Sequence, residues 1–165
     1  MLDNESIPSN ASAIEIGPGD SDLILTLATR FHQITAIDNT VEMLEKTQRK
    51  TTAAGKDNVK FLFGELHDHQ GDCELLVLNM VLHHLASPIN FFFEAKQHLK
   101  AGGCLLIADL CAHDQDWTRD ACGDLWLGFD ADELDGWASV AGFTQGQSLY
   151  LGLKNGFQVQ VRTYH

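Results

Sequence analysis

Glu15-Ile16-Gly17-Pro18-Gly19 sets a carboxylate and two glycines in one short stretch, and Asp38 follows nineteen residues after Gly19. Gly17 and Gly19 suit a turn that needs positive φ, or a backbone brought against a ligand with no Cβ between them. Asp38 ends the apolar run Ile34 to Ile37, where a carboxylate can accept hydrogen bonds from both hydroxyls of a ribose. The layout is that of a nucleotide-type cofactor site in an open α/β sheet, where ligands sit beyond the carboxyl ends of the strands. Asp22 stands where a dinucleotide fingerprint has its third glycine, and Asp20 also stands at the helix start. Two carboxylates there repel a pyrophosphate, so NAD is disfavoured and a cationic ligand without phosphates is tolerated. The plain alternative is a strand, turn and helix with no ligand.

Other residues could act on whatever binds. His83 and His84 follow an apolar strand and are the candidate catalytic residues: one could deprotonate an acceptor, or wall the pocket. Read without function, they are packing or surface histidines. Glu65, His67 and Asp68 form a weaker acid/base set, with structural or cofactor contacts as the alternative. His67-x-His69 and His113-x-x-Asp116 lack a matched second pair of ligands, so no metal site is expected. Cys73 and Cys104 begin strands and read as core, which leaves Cys111 and Cys122 as a pair rather than the thiolate trio that would hold arsenic. The segment Cys111 to Phe129 has the length of a lid or substrate-binding element. In it Trp117, Trp126 and Phe129 could form an apolar wall, or Leu125, Trp126 and Phe129 could pack a short helix onto the domain.

Strand and helix patterns alternate from Ser12 to about Gly142, which predicts βαβ units and a mostly parallel sheet. Ala13–Ile16 is the first strand, and Leu23, Leu27 and Phe31 stripe the helix after it. The second strand ends at Asp38, and a helix from Val41 to about Ala54 follows, with Thr40 as N-cap and Gly55 as stop. Val59–Phe63 is a third strand and Leu75–Leu78 a fourth, buried on both faces. Ser87-Pro88 opens a helix predicted to stop at Gly102-Gly103, before a fifth strand from Cys104 to Ala108. Asp130 and Glu133 form a capping-box-like pair before a helix carrying Leu134, Trp137 and Ala141. Thr144–Leu151 and Gly156–Tyr164 are separated by so short a connection that they must pair antiparallel.

The chain has 165 residues, the length of one domain, and its 44% hydrophobic composition is that of an ordinary globular protein. A net charge of −12 without a basic stripe argues against nucleic acid and anionic membranes as partners. The longest apolar stretch, Leu75 to Leu82, is too short to span a bilayer. The first residues lack the pattern of a signal peptide, so four widely spaced cysteines read as reduced thiols and the expected location is cytoplasmic.

Glu15-Ile16-Gly17-Pro18-Gly19 resembles the E/D-x-G-x-G motif of class I S-adenosylmethionine (SAM) dependent methyltransferases, and the resemblance runs from about Ser12 to Tyr164. Gly64 to Asp68, Asn79 to Leu85, Ala121 to Phe129 and Asn155 to Val161 look more narrowly like the methyltransferase domain of ArsR-type regulator fusions. Two departures stand out: Ser21 replaces the third motif glycine, and only about eleven residues precede the first strand. The resemblance implies a Rossmann-like class I methyltransferase fold: a mostly parallel seven-stranded sheet, a C-terminal antiparallel hairpin and helices on both faces. Residues 1–165 would be a single SAM-binding domain, with 1–11 as a short N-terminal extension. By position, Glu15, Gly17 and Gly19 would line the methionine side of SAM, Asp38 would bind the ribose, and Asn39 and Met43 would flank the adenosine. Gly64, Glu65 and Leu66 would meet the adenine, and Asn79 and Met80 would face the sulfonium. The implied function is methyl transfer from SAM to a small molecule. The alternative is a sensor module that binds SAM or S-adenosylhomocysteine and lacks its DNA-binding part. A homodimer stays open.

Overall fold

The computed structural model describes residues 8 and 10–165. Apart from Pro8, Asn10 and Ala11, the extension expected over 1–11 lies outside the described residues. Seven strands form one sheet: β1 Ser12–Ile16, β2 Gln33–Asp38, β3 Val59–Phe63, β4 Cys73–Asn79, β5 Leu99–Leu110, β6 Gln145–Gly152 and β7 Gln158–Tyr164. Their order is β3-β2-β1-β4-β5-β7-β6. The first five run parallel, and β7 lies antiparallel to both β5 and β6. The expected sheet and its terminal hairpin are both present.

Strand alternation divides the core between the two faces of this sheet. Leu75 and Val77 of β4 join Ala13, Ile34 and Ala36 on one face, under Ile24 and Leu27 of helix α1 (Leu23–Arg30). Leu76 and Leu78 join Ile14, Ile37, Leu105 and Ile107 on the other. There they meet Phe92 of α3 (Pro88–His98) and Leu134 and Ala138 of α5 (Ala131–Val140). Each fully buried Leu, Ile, Val or Phe among them stabilises the fold by about 1.5–3 kcal/mol. Helix α2 (Val41–Ala53) packs beside β2 and β3, and a short helix α4 (Trp117–Cys122) lies in the connection after β5.

Several expected boundaries are corrected. Helix α3 ends at His98, and β5 begins at Leu99 rather than Cys104. Gly102 and Gly103 serve as a register shift inside the strand instead of a helix stop: Cys73 pairs with Leu99, whereas Leu75 pairs with Cys104. A Cβ on Gly103 would stand 2.9 Å from the Lys100 carbonyl oxygen, so the bulge excludes one. Thr40, Ser87 and Asp130 occupy the N-cap positions expected of them, yet none makes a side-chain capping bond. Thr40 instead donates its hydroxyl to Asn39, and the acidic first turn of α5 acts through the helix dipole.

Candidate functional site

At the carboxyl ends of β1, β2 and β3 lies a cleft of about 310 Å³. Gly17, Asp38, Asn39, Gly64, Glu65 and Leu66 line it, together with Val81, Leu85, Ser87, Asn90, Phe91 and Glu94. Six of the sequence-predicted cofactor residues thus converge on one cavity, although they come from three separate connections. Gly17 adopts φ +59°, and a Cβ there would stand 2.6 Å from Val81 Cγ2. Glycine is therefore required twice over, by conformation and by close approach. The Gly17 N–H donates to the Ile37 carbonyl at 2.8 Å, which holds the turn beside the end of β2. Asp38 accepts from the Thr40 N–H on Oδ1 at 2.9 Å, which fixes the carboxylate at the rim.

The rest of the glycine turn is braced from α2. Lys46 pairs with Asp20, and Lys50 lies 3.1 Å from an Asp22 oxygen while donating to the Asp20 and Ser21 carbonyls. The hydrogen bond from Lys46 holds the Asp20 carboxyl below its ordinary range. These lysines offset part of the negative charge that the sequence placed at the start of α1. Ser21 Oγ accepts from the Leu23 N–H at 3.0 Å and from Asn79 Nδ2 at 3.3 Å, tying the turn to the end of β4. Asn79 thus uses its amide nitrogen on Ser21. Gly19 lies beside Met43, whose Cε would be 3.9 Å from a Cβ at that glycine, but neither residue lines the cleft.

Glu15 is fully buried just below the turn, and neither carboxylate oxygen has a hydrogen-bond partner. Burial pushes its carboxyl up to about 8, although the charge of Lys50 pulls the other way. An isolated buried acid at the end of a strand is what a cationic group would satisfy. Met80, immediately after β4, is the one non-glycine residue with positive φ among the described residues, at +60°. No property of the methionine side chain foretells that conformation, and such strain gathers where backbone is forced to serve a site.

Of the second acid/base set, Glu65 lines the cleft, whereas Asp68 serves the backbone. Asp68 Oδ2 accepts from the Glu65 N–H at 3.0 Å and closes the 3₁₀ turn Leu66–Asp68. His67 is exposed among Glu65, Asp68 and Glu94, at 3.7, 3.8 and 3.7 Å respectively. His69 approaches His98, with ring centroids 6.1 Å apart, and forms no metal cluster with His67.

His83 and His84 fall on the 3₁₀ turn Leu82–His84. Their flanking residues Val81 and Leu85 wall the cleft, but the two rings do not line it. His83 is buried, its Nδ1 2.7 Å from Asp109 Oδ1 and its Nε2 3.6 Å from Asp124 Oδ1. Burial works against its imidazolium, but the Asp109 hydrogen bond and charge, with Asp124, outweigh that and raise its pKa. His84 is half-exposed and leans on the Gly123 carbonyl at 3.3 Å. The sequence reading missed Asp109 and Asp124. Asp109 had a signal, a carboxylate inside the apolar run Leu105 to Leu110; Asp124, the one carboxylate in the stretch Ala121 to Phe129, had none beyond its place there.

The connection from Cys111 to Phe129 closes on itself through a parallel bridge between its two ends. Trp126 and Phe129 pack against Trp137, with centroids 6.0 and 5.7 Å away, so they belong to the core rather than to an apolar wall over the cleft. Trp117 is exposed against Phe157, and Leu125 is exposed. Cys73 and Cys104 are buried as expected, with the Cys73 thiol pushed up to about 12 by burial.

Residues 14–107 match the family described as "Methyltransferase domain". Comparison with curated proteins gives no match. Among solved structures, a putative methyltransferase from Bacillus halodurans superposes with a TM-score of 0.83 at 14% identity, over 99% of this chain and 95% of that one. A SAM-dependent methyltransferase from Aquifex aeolicus gives 0.76 at 18% identity, over 99% and 86% of the two chains. A cyclopropane synthase from Mycobacterium tuberculosis gives 0.80 at 10% identity, over 99% and 80%. At these identities the likeness establishes the fold, which is that of the class I methyltransferases.

Proposed function

The chain belongs to the methyltransferase domain family, and from that premise we propose that it transfers a methyl group from SAM to a small molecule, with SAM held in the cleft between β1, β2 and β3. The observation that carries this reading is the convergence of Gly17 and Asp38 on one cavity, with the buried, unpartnered Glu15 beneath. The residues fit the cofactor. Asp38 would accept from the ribose hydroxyls, and Gly17 leaves room for the chain of the ligand. Glu15, protonated at neutral pH while its carboxyl has no partner, would release that proton to solvent and face the cationic end of SAM as a carboxylate. Asn39, Gly64, Glu65 and Leu66 would hold the nucleoside end, with Gly19, Met43, Asn79 and Met80 shaping the turn around it.

When bound, SAM supplies a sulfonium-linked methyl group for in-line displacement. The protein's part is chiefly to position and to exclude water, through Ile16, Ile37, Val81, Leu85 and Phe91. No general base is assigned, because both ring nitrogens of His83 face carboxylates and His84 lies outside the cleft. We read the domain as a cytoplasmic catalyst on a small acceptor, related to the methyltransferase domains of ArsR-type fusions. The described residues include no helix long and apolar enough to cross a membrane.

Calorimetric titration with SAM and S-adenosylhomocysteine tests the reading. Both should saturate at micromolar levels, and Asp38→Ala should weaken each at least a hundredfold, since two hydrogen bonds to a charged acceptor are lost at ~1.5–3 kcal/mol each. Folded protein that binds neither, or an Asp38→Ala variant that binds like wild type, would overturn it.

A further inference from the structure

His83, His84 and Asp124 lie outside the proposed cofactor cleft, yet they bring one donor atom each to within 4.8 Å of one another. His83 Nε2 and His84 Nδ1 stand 3.6 and 3.9 Å from the same oxygen, Asp124 Oδ1. Those separations are too long for hydrogen bonds. They are close to the roughly 3.3–3.5 Å that separates two ligands bound at about 2.0–2.2 Å to one tetrahedral ion. Asp124 is buried, with only 5% of its surface exposed, and Oδ1 has no hydrogen-bond partner. A buried carboxylate oxygen left this way is costly unless a cation meets it.

The surroundings are built to hold the three donors together. The Leu125 and Trp126 N–H groups both donate to the His83 carbonyl at 3.1 Å, and Trp126 Nε1 donates to the Leu85 carbonyl at 2.9 Å. Arg119 binds the Leu125 carbonyl at 2.7 Å, which steadies the loop that delivers Asp124. Behind His83, Asp109 takes Nδ1 at 2.7 Å and leaves Nε2 directed at Asp124. A carboxylate on the far nitrogen of a histidine is the outer-shell arrangement that orients metal-bound imidazoles and raises their basicity. Asp109 and Asp124 together carry two negative charges, which a divalent cation balances.

We propose that His83, His84 and Asp124 form a binding site for one zinc-class divalent transition-metal ion, with Asp109 as the positioning residue behind His83. Two imidazoles and one carboxylate select such ions over magnesium or calcium, which prefer oxygen ligands alone. His84, on the surface, gives up the 3.3 Å contact of its Nδ1 with the Gly123 carbonyl, loses the proton there, and turns that nitrogen to the ion by a small movement of its ring. Three protein ligands leave at least one coordination position open to water or to a donor atom of another molecule. The site replaces the expectation that this chain has no metal centre, and it stands independently of the cofactor assignment.

The test uses tag-free protein stripped with a chelator and then titrated with Zn²⁺ against a chromophoric competitor. One equivalent should bind at micromolar affinity or tighter, and Zn²⁺ should raise the melting temperature. His84→Ala and Asp124→Asn should each weaken binding at least a hundredfold, Asp109→Asn ten- to a hundredfold, and Cys122→Ser not at all. His84 is half-exposed, so His84→Ala keeps the fold and decides the question if another variant does not. The absence of stoichiometric binding overturns the site, as does wild-type affinity in His84→Ala. Loss of binding in Cys122→Ser would overturn the donor set by assigning the ion to a thiolate.

Discussion

Around Arg162, every charge meets a partner. Its Nε donates to Asp135 at 3.0 Å and lies 3.1 Å from the Tyr164 hydroxyl, Nη2 reaches the other Asp135 oxygen, and Nη1 meets Tyr150 at 3.1 Å and Gln160 at 3.4 Å. Tyr164 then returns a hydrogen bond to Asp135 at 2.9 Å. At the carboxyl ends of the parallel strands, buried carboxyl groups are left open: Glu15 has no hydrogen-bond partner for either oxygen, and Asp124 has none for Oδ1. Both regions bury ionisable groups on or beside the same sheet, so burial alone does not distinguish scaffold from site. Satisfaction does. A closed network fixes α5 to β7, whereas an open one leaves bonds for something that is not part of the chain.

The largest effect expected from this contrast is at the closed network. Arg162→Ala strands the Asp135 carboxylate in a largely buried position and should cost about 3–5 kcal/mol in urea denaturation. Cofactor affinity of the folded fraction should stay unchanged. A cost below about 1 kcal/mol would mean that the network contributes little and that satisfaction is a poor guide.

Glu15 offers the next largest effect, and it has the opposite sign. Its carboxyl titrates near 8 in the folded protein instead of 4.5, so the folded state holds a proton that the unfolded chain has released. Stability from this group is greatest below pH 4.5 and is lost as pH rises towards 8. The loss reaches roughly 3 kcal/mol by pH 7. Glu15→Gln keeps the shape and removes the titration, so its stability should exceed that of wild type at pH 8 and converge with it near pH 5. Parallel pH profiles for the two proteins would show that the Glu15 carboxylate has a partner in solution.

The same contrast explains what was legible in the sequence. The sheet could be read because alternation and apolar runs are local, as in Leu75 to Leu78, and so could the place of Gly17 and Asp38 at the rim of the cleft, which follows from backbone freedom and strand ends. The boundary of β5 was misread because Gly102 and Gly103 carry the same residue type for a helix stop and for a bulge. Asp109 and His83 are 26 residues apart, and nothing local announces that they meet. The α2 lysines that brace the glycine turn were equally hidden, since Lys50 reaches Asp20 across 30 residues. Pairings made by topology become visible only once the strands are ordered.

The smallest expected effect separates the two regions most directly. In chelator-treated protein, Asp124→Asn removes the attraction between His83 and a carboxylate 3.6 Å away, and it also removes the cost of keeping that charge out of water. The two terms oppose one another, and asparagine fills the same volume, so stability should change by less than about 1 kcal/mol. At the Arg162 network no such cancellation is available, because any lost partner leaves another charge bare. A cost of 3 kcal/mol or more for Asp124→Asn, roughly that of breaking a buried ion pair, would make His83 and Asp124 a structural pair like Arg162 and Asp135. The open oxygen would then be part of how the loop after β5 is held, and the distinction between the two regions would fail at the place where it matters most.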